Sequence, residues 1–235
     1  FDPLARTTQF MLTEEAYHLQ TGENGVGRVI HRTAELMQQG KDVKAEGAIP
    51  IETIQKYVNF WASASYDLFG GENSSNAAEA FASGLKGRYR EGDGIYKDPQ
   101  ALNQYYTLSV PENGKMTDTE VPLRRAMNAL LLDAYVADCK RIVGRWQRDL
   151  DKLETGLKIT LPNQKFNRNQ GTYADYYFNP EGELITKEEF EAHRDQWLPT
   201  DEEREHVKSC MVKVHDVGKI ANWISPPNRG VNDKP

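Results

Sequence analysis

The sequence predicts a mainly α-helical fold: part of a helical bundle over residues 1–156, followed by a C-terminal extension over residues 157–235 that contains a small β-hairpin. Up to residue 156, apolar residues recur at steps of three and four, which is the period of an amphipathic helix. The clearest such stripe consists of Met127, Leu131, Tyr135, Cys139, Ile142, Trp146, Leu150 and Leu153. Beyond residue 156, short alternating segments are separated by prolines and glycines, which favours strands and turns.

The helices of the first part begin at prolines and end near glycines, as helices often do. Pro3, Pro50 and Pro122 suit the first turns of three helices, and Gly156 is predicted to cap the last of them. A further helix is predicted in a stretch rich in alanine, serine and glycine, whose small side chains allow a close approach to the backbone. The predicted helices cover residues 3–39, 50–69, 74–89 and 122–155, and residues 92–121 are expected to form a long connection.

The extension is expected to contain one strand, one hairpin and two short helices. The stretch LKITLP, residues 157–162, alternates like a strand, and YYFNPEGELIT, residues 176–186, predicts a hairpin with Pro180 and Gly182 in its turn. Each short helix begins with a capping box, in which a threonine and a glutamate three residues later satisfy the first backbone N–H groups. The two pairs are Thr186 with Glu189 and Thr200 with Glu203.

Composition narrows the class of protein. The formal net charge is -6, the pI is about 5.5 and lysine and arginine form no block, so we expect no nucleic-acid partner. No apolar run approaches the length of a membrane span, so no membrane insertion is expected. Cys139 and Cys210 lie far apart without a C-x-x-C spacing, which indicates a reduced, cytoplasmic protein rather than a disulfide scaffold.

One short stretch, FMLTEEAYHL (residues 10–19), places a possible metal-ligand pair inside the first predicted helix. Glu15 and His18 are three residues apart, so their side chains share one helix face and can bind one ion. Carboxylate and imidazole together suit iron, and Glu-x-x-His pairs recur on the helices of di-iron carboxylate proteins. The alternative is structural, because Glu15 and His18 can instead bond each other or Arg6 in a polar seam. Spacing alone leaves the two interpretations equally open.

Other glutamates near histidines in this chain have a simpler explanation. Glu203 and His206 repeat the spacing of Glu15 and His18, but Glu203 completes a capping box at a helix start. Glu189 does the same in the other capping box. Glu15 lies well inside its helix among apolar neighbours, so we expect it to be partly buried, which a carboxylate tolerates when it is paired or metal-bound.

Other residues of this helix are candidates for contacts around the pair. Met11 and Gly22 share the face of Glu15 and His18 and could line a substrate channel, although ordinary bundle packing explains them too. Glu14 lies about 100° around the helix from Glu15, so we expect it to face outward or to support a ligand by a hydrogen bond.

Four segments of the chain carry a resemblance to a known family. They are FDPLARTTQFMLTEEAYH (1–18), DLFGGENSSNAAEAFASGLKGRY (67–89), LPNQKFNRNQGTYADYYFNPEGELI (161–185) and NWISPPNRGVNDKP (222–235). Together they resemble the oxygenase component of benzoyl-coenzyme A 2,3-epoxidase, and the resemblance extends over all of residues 1–235. The chain resembles only the C-terminal half of the family's members, because their first Glu-x-x-His motif and their other carboxylate ligands lie N-terminal to the matched part.

The resemblance implies a fold, a chemistry and a set of partners. The fold is a ferritin-like bundle with a di-iron centre, and the reaction is the O2-dependent epoxidation of the ring of benzoyl-CoA in aerobic benzoate degradation. TEEAYH looks like the second Glu-x-x-His motif of the family, which makes Glu15 and His18 iron ligands. The implied partners are benzoyl-CoA or a similar aryl-CoA, a separate NADPH-dependent flavin and iron–sulfur reductase component, and the N-terminal half of the same enzyme.

Several alternatives stay open. Lys86 and Arg88 are candidates for binding the phosphates of coenzyme A, although a solvated helix end is the simpler explanation of cations there. The substrate could be another aryl-CoA such as phenylacetyl-CoA, or the chain could be a non-catalytic half-bundle that scaffolds a partner. Because this chain supplies two donors against about six in a di-iron carboxylate site, we expect it to bind iron poorly and to be inactive by itself.

Overall fold

A computed structural model of the protein describes residues 2–72 and 104–211. Over these residues the fold is mainly α-helical with two small antiparallel hairpins, and the three longest helices pack together as part of a bundle. The described α-helices are α1 (Asp2–Gln38), α2 (Ile51–Asp67), α3 (Met127–Asp151), α4 (Lys187–Trp197) and α5 (Asp201–Ser209). None of these helices is both long and apolar enough to cross a membrane.

The long helices are present as predicted, but α3 is shorter than predicted at both ends. Pro122, predicted in its first turn, belongs to a β-strand, and the helix begins at Met127 after a short 3-10 turn. The predicted cap at Gly156 is wrong, because the helix stops at Asp151. Glu154 adopts a left-handed φ of 53°, through which an α-helix cannot continue. The predicted helix over residues 74–89, with the candidate phosphate-binding residues Lys86 and Arg88, lies outside the described residues.

The connection predicted over residues 92–121 is wrong where the structure describes it, because it contains a hairpin. Strand β1 (Tyr105–Glu112) pairs antiparallel with β2 (Lys115–Pro122) along its whole length. Asn113 and Gly114 join the two strands with φ angles of 49° and 76°. Positive φ at both turn residues matches the two-residue turn that follows the twist of a hairpin.

The local signals in the extension are confirmed. Strand β3 (Tyr177–Phe178) pairs antiparallel with β4 (Leu184–Ile185), as the hairpin pattern predicts. The Gly182 N–H donates to the carbonyl of Asn179 at 2.9 Å across the turn between them. Both predicted capping boxes are present, at the starts of α4 and α5.

The stretch 157–162 forms no strand, so this part of the prediction is wrong. Two glutamine side chains occupy the place of a neighbouring strand. Gln147 on α3 accepts a hydrogen bond from the Ile159 N–H at 2.9 Å, and Gln55 on α2 accepts one from the Thr160 N–H at 2.7 Å. The Gln55 amide also donates to the Thr160 carbonyl at 2.8 Å. The backbone polar groups of this segment are therefore satisfied between two helices without a sheet.

The main core lies where the second half of α1 meets α2 and α3. Its buried members are Ile30, Ala34, Ile51, Ile54, Val143, Leu150 and Ile159. Helix α3 is attached along α1, because the Trp146 indole N–H donates to the Glu23 carbonyl at 3.1 Å and the Arg145 guanidinium lies 2.6 Å from the Glu23 carboxylate. Ile159 belongs to the predicted extension but packs in the same core as the three helices. The division of the chain into domains between residues 156 and 157 therefore stays a prediction.

Candidate functional site

Glu15 and His18 lie on the exposed first half of α1. The Glu15 Oε2 and His18 Nδ1 atoms are 3.6 Å apart, and the two side chains are 63% and 67% exposed, respectively. The helix spacing therefore brings carboxylate and imidazole to the same face, as predicted. The expected partial burial of Glu15 is wrong for the described residues, because nothing among them packs over this part of α1.

The apolar neighbours of the pair are exposed as well. Phe10, Met11, Leu12, Tyr17 and Leu19 all have large exposed side chains. Three consecutive residues of a helix point in directions about 100° apart, so this stretch is apolar on several sides. A helix that is apolar on several sides is typical of a protein interior. This part of α1 therefore has the composition of a buried bundle helix, and the described residues do not cover it.

The donor set on this face fits one edge of an iron site but not a whole one. A carboxylate and an imidazole at positions i and i+3 are ligands that iron accepts in proteins. Within residues 2–72 and 104–211, no group of three or more histidine, cysteine, aspartate or glutamate side chains could hold a metal ion. Glu15 and His18 therefore need further donors from outside the described residues before they can form a metal centre.

The face that carries the pair continues into an apolar cavity. Gly22, Gly25, Val26 and Val29 follow His18 on α1 and line a space of about 600 Å³ between α1, α2 and α3. The space is open to solvent, since Val26, Val29 and Trp61 on its rim are exposed, and we call it the α1–α2–α3 cavity. Gly22, predicted as a channel residue, lies in its wall, whereas Met11 is exposed and does not line it. The other walls are formed mainly by Ile54, Tyr57, Val58, Trp61, Tyr135, Cys139, Ile142 and Trp146.

The cavity walls are apolar and carry no charged side chain. Burial raises the pKa of the Cys139 thiol and of the Tyr135 hydroxyl, so both groups stay protonated and neutral near pH 7. The indole N–H of Trp146 already donates to a backbone carbonyl of α1. The cavity is therefore suited to an apolar group and offers little to an ion.

The sequence prediction missed this cavity. It assigned Tyr135, Cys139, Ile142 and Trp146 to one packed stripe, yet these residues are only half-buried. The buried residues of the middle of α3 lie on a neighbouring face and include Leu132 and Val136. A signal was available in the sequence, because aromatic residues rather than leucines recur along this face of α3 and along the facing part of α2.

The second Glu-x-x-His pair is structural, as predicted. Glu203 closes the capping box at the start of α5, and its Oε1 lies 2.7 Å from the Lys56 Nζ and 3.1 Å from the Thr53 hydroxyl. His206 turns away to hydrogen-bond the Ala48 carbonyl at 2.9 Å through Nε2. The same sequence spacing thus produces a helix cap joined to α2 at one place and an open pair of donors at the other.

Replacing Glu203 with glutamine is expected to destabilise the chain by about 2 kcal/mol at pH 7, because Lys56 then stays half-buried without its partner. Burial alone would raise the pKa of Glu203, but the bonds from Lys56 and Thr200 outweigh it and hold that pKa below the usual range. The stabilisation is therefore complete above the unfolded pKa of about 4.3 and is lost as the pH falls through the lower folded pKa. Urea unfolding from pH 7 to pH 3 should show the gap between wild type and variant closing below about pH 4. A gap that is constant with pH would contradict this account.

Comparison with known proteins relates the whole chain to one enzyme component. No protein-family model matches the chain. The chain is 42% identical over 240 residues to "Benzoyl-CoA oxygenase component B" of Aromatoleum evansii. The alignment covers 100% of this chain and 50% of that protein, so the chain spans about half the length of this relative. The resemblance inferred from the sequence motifs is therefore confirmed. The share of the relative that the chain covers also agrees with the prediction that the chain corresponds to half of such a component.

Proposed function

We propose that this chain is half of an O2-dependent, di-iron oxygenase component that epoxidises the aromatic ring of benzoyl-CoA. The observation that carries the proposal is the 42% identity of the entire chain to a benzoyl-CoA oxygenase component. The geometry of α1 supports it, because Glu15 and His18 share an exposed face beside an apolar cavity. The substrate, the metal and the partners below belong to this proposal.

Glu15 and His18 would hold one edge of the iron centre. The Glu15 carboxylate supplies negative charge and the neutral His18 imidazole supplies a nitrogen donor, a combination that suits iron in two oxidation states. When bound, iron supplies the activation of O2 that no amino-acid side chain provides. The remaining donors would come from the half of the enzyme that this chain does not match, and the same half would cover the exposed apolar residues of α1 and exclude water.

The overall reaction needs a source of electrons. Inserting one oxygen atom of O2 across a ring bond leaves the second atom to form water, which takes up two electrons and two protons. A separate NADPH-dependent reductase component with flavin and an iron–sulfur centre would supply the electrons. The name of the relative, a component B, is consistent with such a partner. The α1–α2–α3 cavity adds an apolar environment next to the proposed ligands, where a thioester with an aromatic acyl group could bind.

Iron content tests the proposal. We expect the complete protein, expressed from its whole natural reading frame, to contain about two irons per chain and to convert benzoyl-CoA with O2, NADPH and its reductase. The 235-residue chain by itself should contain far less than one iron and show no turnover, because two donors cannot hold two metals. Iron can be measured by elemental analysis and the product by mass spectrometry with 18O2.

Two results would decide against this function. Tight stoichiometric iron in the isolated 235-residue chain would contradict the division of ligands between two halves. A complete protein that binds no iron would support the non-catalytic scaffold instead. Turnover of phenylacetyl-CoA in preference to benzoyl-CoA would keep the chemistry but change the substrate.

A further inference from the structure

We propose that a small polar pocket beside strand β1 binds an amino-carboxylate, that is, a small molecule with an ammonium group at one end and a carboxylate at the other. The pocket has a volume of about 300 Å³ and lies between β1, α3 and the extension. We call it the hairpin pocket. Its lining shares no residue with the proposed iron ligands or with the α1–α2–α3 cavity, so the inference is independent of the proposed function.

Hydrogen bonds across the hairpin pocket fix its walls. Tyr106 on β1 donates through its hydroxyl to the Asp133 carboxylate on α3 at 2.5 Å. Tyr173 of the extension donates to the backbone carbonyl of Ser109 on β1 at 2.6 Å. The first strand of the hairpin is therefore attached to both neighbouring walls, and the pocket is a built part of the described fold.

Two buried oxygen atoms of the pocket walls accept no hydrogen bond within the part of the chain that the structure describes. They are Oε1 of Glu72 and Oε1 of Gln164, and both residues line the pocket. The Gln164 amide nitrogen donates to the Asp133 carboxylate at 3.2 Å, which orients the amide and leaves its oxygen without a donor. A buried acceptor without a donor is costly, so the pair indicates an occupant that brings donors to both atoms.

Glu72 adds negative charge to this pair of acceptors. Its side chain is only 3% exposed, and Gly171, at a φ of 82°, leaves the space that it occupies, since a Cβ atom there would overlap the carboxylate. Arg168 lies 3.5 Å from Glu72 but also 2.8 Å from Asp67, so one guanidinium faces two carboxylates. The excess negative charge favours an ammonium group over water, because an ammonium supplies both donors and the missing positive charge.

Lys165 supplies the opposite charge in the same pocket. Its side chain is half-buried, and its Nζ lies 6.0 Å from the centre of the Tyr173 ring and 5.9 Å from that of Phe178. Among residues 2–72 and 104–211, no carboxylate pairs with this ammonium. A carboxylate that enters the pocket can form charge-assisted hydrogen bonds with it. Acceptors on one side and a cation on another thus match the two ends of an amino-carboxylate.

Isothermal titration calorimetry of the complete protein with glycine, β-alanine and 4-aminobutyrate tests this assignment, because these probes differ in the distance between ammonium and carboxylate. We expect at least one of them to bind. Propylamine lacks the carboxylate, butyrate lacks the ammonium, and the N-trimethyl derivative of the best probe lacks the N–H donors. Each of these three should bind at least about tenfold more weakly than the best probe, because a charge-assisted hydrogen bond is lost.

Variants of the walls test whether the probe binds in the hairpin pocket. Lys165→Met and Gln164→Leu should each raise the Kd of the best probe at least about tenfold, since each removes one of the proposed contacts. Lys165→Met should fold like wild type, because Lys165 has no ion-pair partner among the described residues to lose. Lys158→Met is the matched control, since Lys158 is exposed and lies outside the pocket, and it should retain the wild-type Kd.

Three results would overturn the inference. If no amino-carboxylate binds up to about 50 mM, the pocket holds water only. If propylamine binds as tightly as the best probe, Lys165 binds no carboxylate. If Lys165→Met and Gln164→Leu both keep the wild-type Kd, the probe binds elsewhere on the protein. Iron content and turnover of benzoyl-CoA, measured on the same preparation, report separately on the proposed function, so a failure of one is distinguishable from a failure of the other.

Discussion

Replacing Arg168 with methionine is expected to destabilise the chain by about 3–5 kcal/mol, because it leaves one buried and one half-buried carboxylate without their cation. The Arg168 side chain is fully buried, and its Nε lies 2.8 Å from Asp67 while its Nη1 lies 3.5 Å from Glu72. The same guanidinium donates to the backbone carbonyl of Gln164 at 3.0 Å. Urea unfolding of the two proteins at pH 7 measures the difference.

This large effect follows from how the cluster attaches the extension to α2. Asp67 ends the helix and accepts hydrogen bonds from the backbone N–H groups of Asn169 and Gln170, so one side chain orders the loop that carries Arg168. Glu72 accepts the Thr172 N–H at 2.6 Å through its other oxygen. Without the arginine, the loop keeps these bonds but gathers two negative charges in a place with little water.

A surface arginine supplies the matched control. Arg141 pairs with Asp138 at 2.9 Å on α3 but is 60% exposed, so Arg141→Met should change the unfolding free energy by less than about 1 kcal/mol. Adding Asp67→Asn and Glu72→Gln to Arg168→Met should recover part of the lost stability, because the stranded charges are then removed. Equal effects of Arg141→Met and Arg168→Met would show that burial of the cluster does not matter.

The fold was predictable where its causes are local. The helix periodicity, the prolines at the starts of α1 and α2 and the threonine–glutamate capping boxes depend on residues close in sequence, and the structure contains them. Pro122 is the exception, because it ends β2 and α3 begins at Met127. The β1–β2 hairpin also has a local signal, the Asn113-Gly114 pair. It is easily overlooked because β2 is mostly exposed and its polar residues show no apolar alternation.

The errors arise where distant residues decide the structure. LKITLP has the alternation of a strand, but its backbone N–H groups donate hydrogen bonds to the side chains of Gln55 and Gln147 instead of to a neighbouring strand. That outcome depends on the packing of α2 and α3, which periodicity within the segment does not contain. The cavity is a similar case, because an apolar stripe on one helix does not reveal whether neighbouring helices fill the space in front of it.

The sequence predicts that the two candidate ligands share one helix face, but it does not predict how buried they are. Helix geometry alone places Glu15 and His18 together, and the structure shows the two donor atoms 3.6 Å apart. Their burial depends on what covers α1, and the described residues leave this part of the helix open. Phe10 and Leu12, exposed on other sides of the helix, show that its composition suits an interior that the described residues do not complete.

Replacing Glu15 with alanine in the complete protein is expected to abolish the iron centre and to reduce activity by more than about 100-fold. Removing a group that merely hydrogen-bonds to a metal ligand can already cost roughly 100-fold, and losing the ligand itself should cost more. The same change in the 235-residue chain should alter the unfolding free energy by less than about 0.5 kcal/mol, because an exposed side chain with a weak neighbour contributes little. Elemental analysis, turnover of benzoyl-CoA and urea unfolding measure the three quantities.

Two controls make this prediction specific to the ligand face. Glu14→Ala removes the adjacent carboxylate, which points about 100° away, and should leave most of the iron in place. His206→Gln removes the histidine of the other Glu-x-x-His pair and should leave the iron unchanged, because His206 bonds the Ala48 carbonyl. His18→Gln should lose iron as Glu15→Ala does. A loss of several kcal/mol of stability in the isolated chain on Glu15→Ala, or equal iron loss for His18→Gln and His206→Gln, would show that Glu15 and His18 serve the fold rather than the metal.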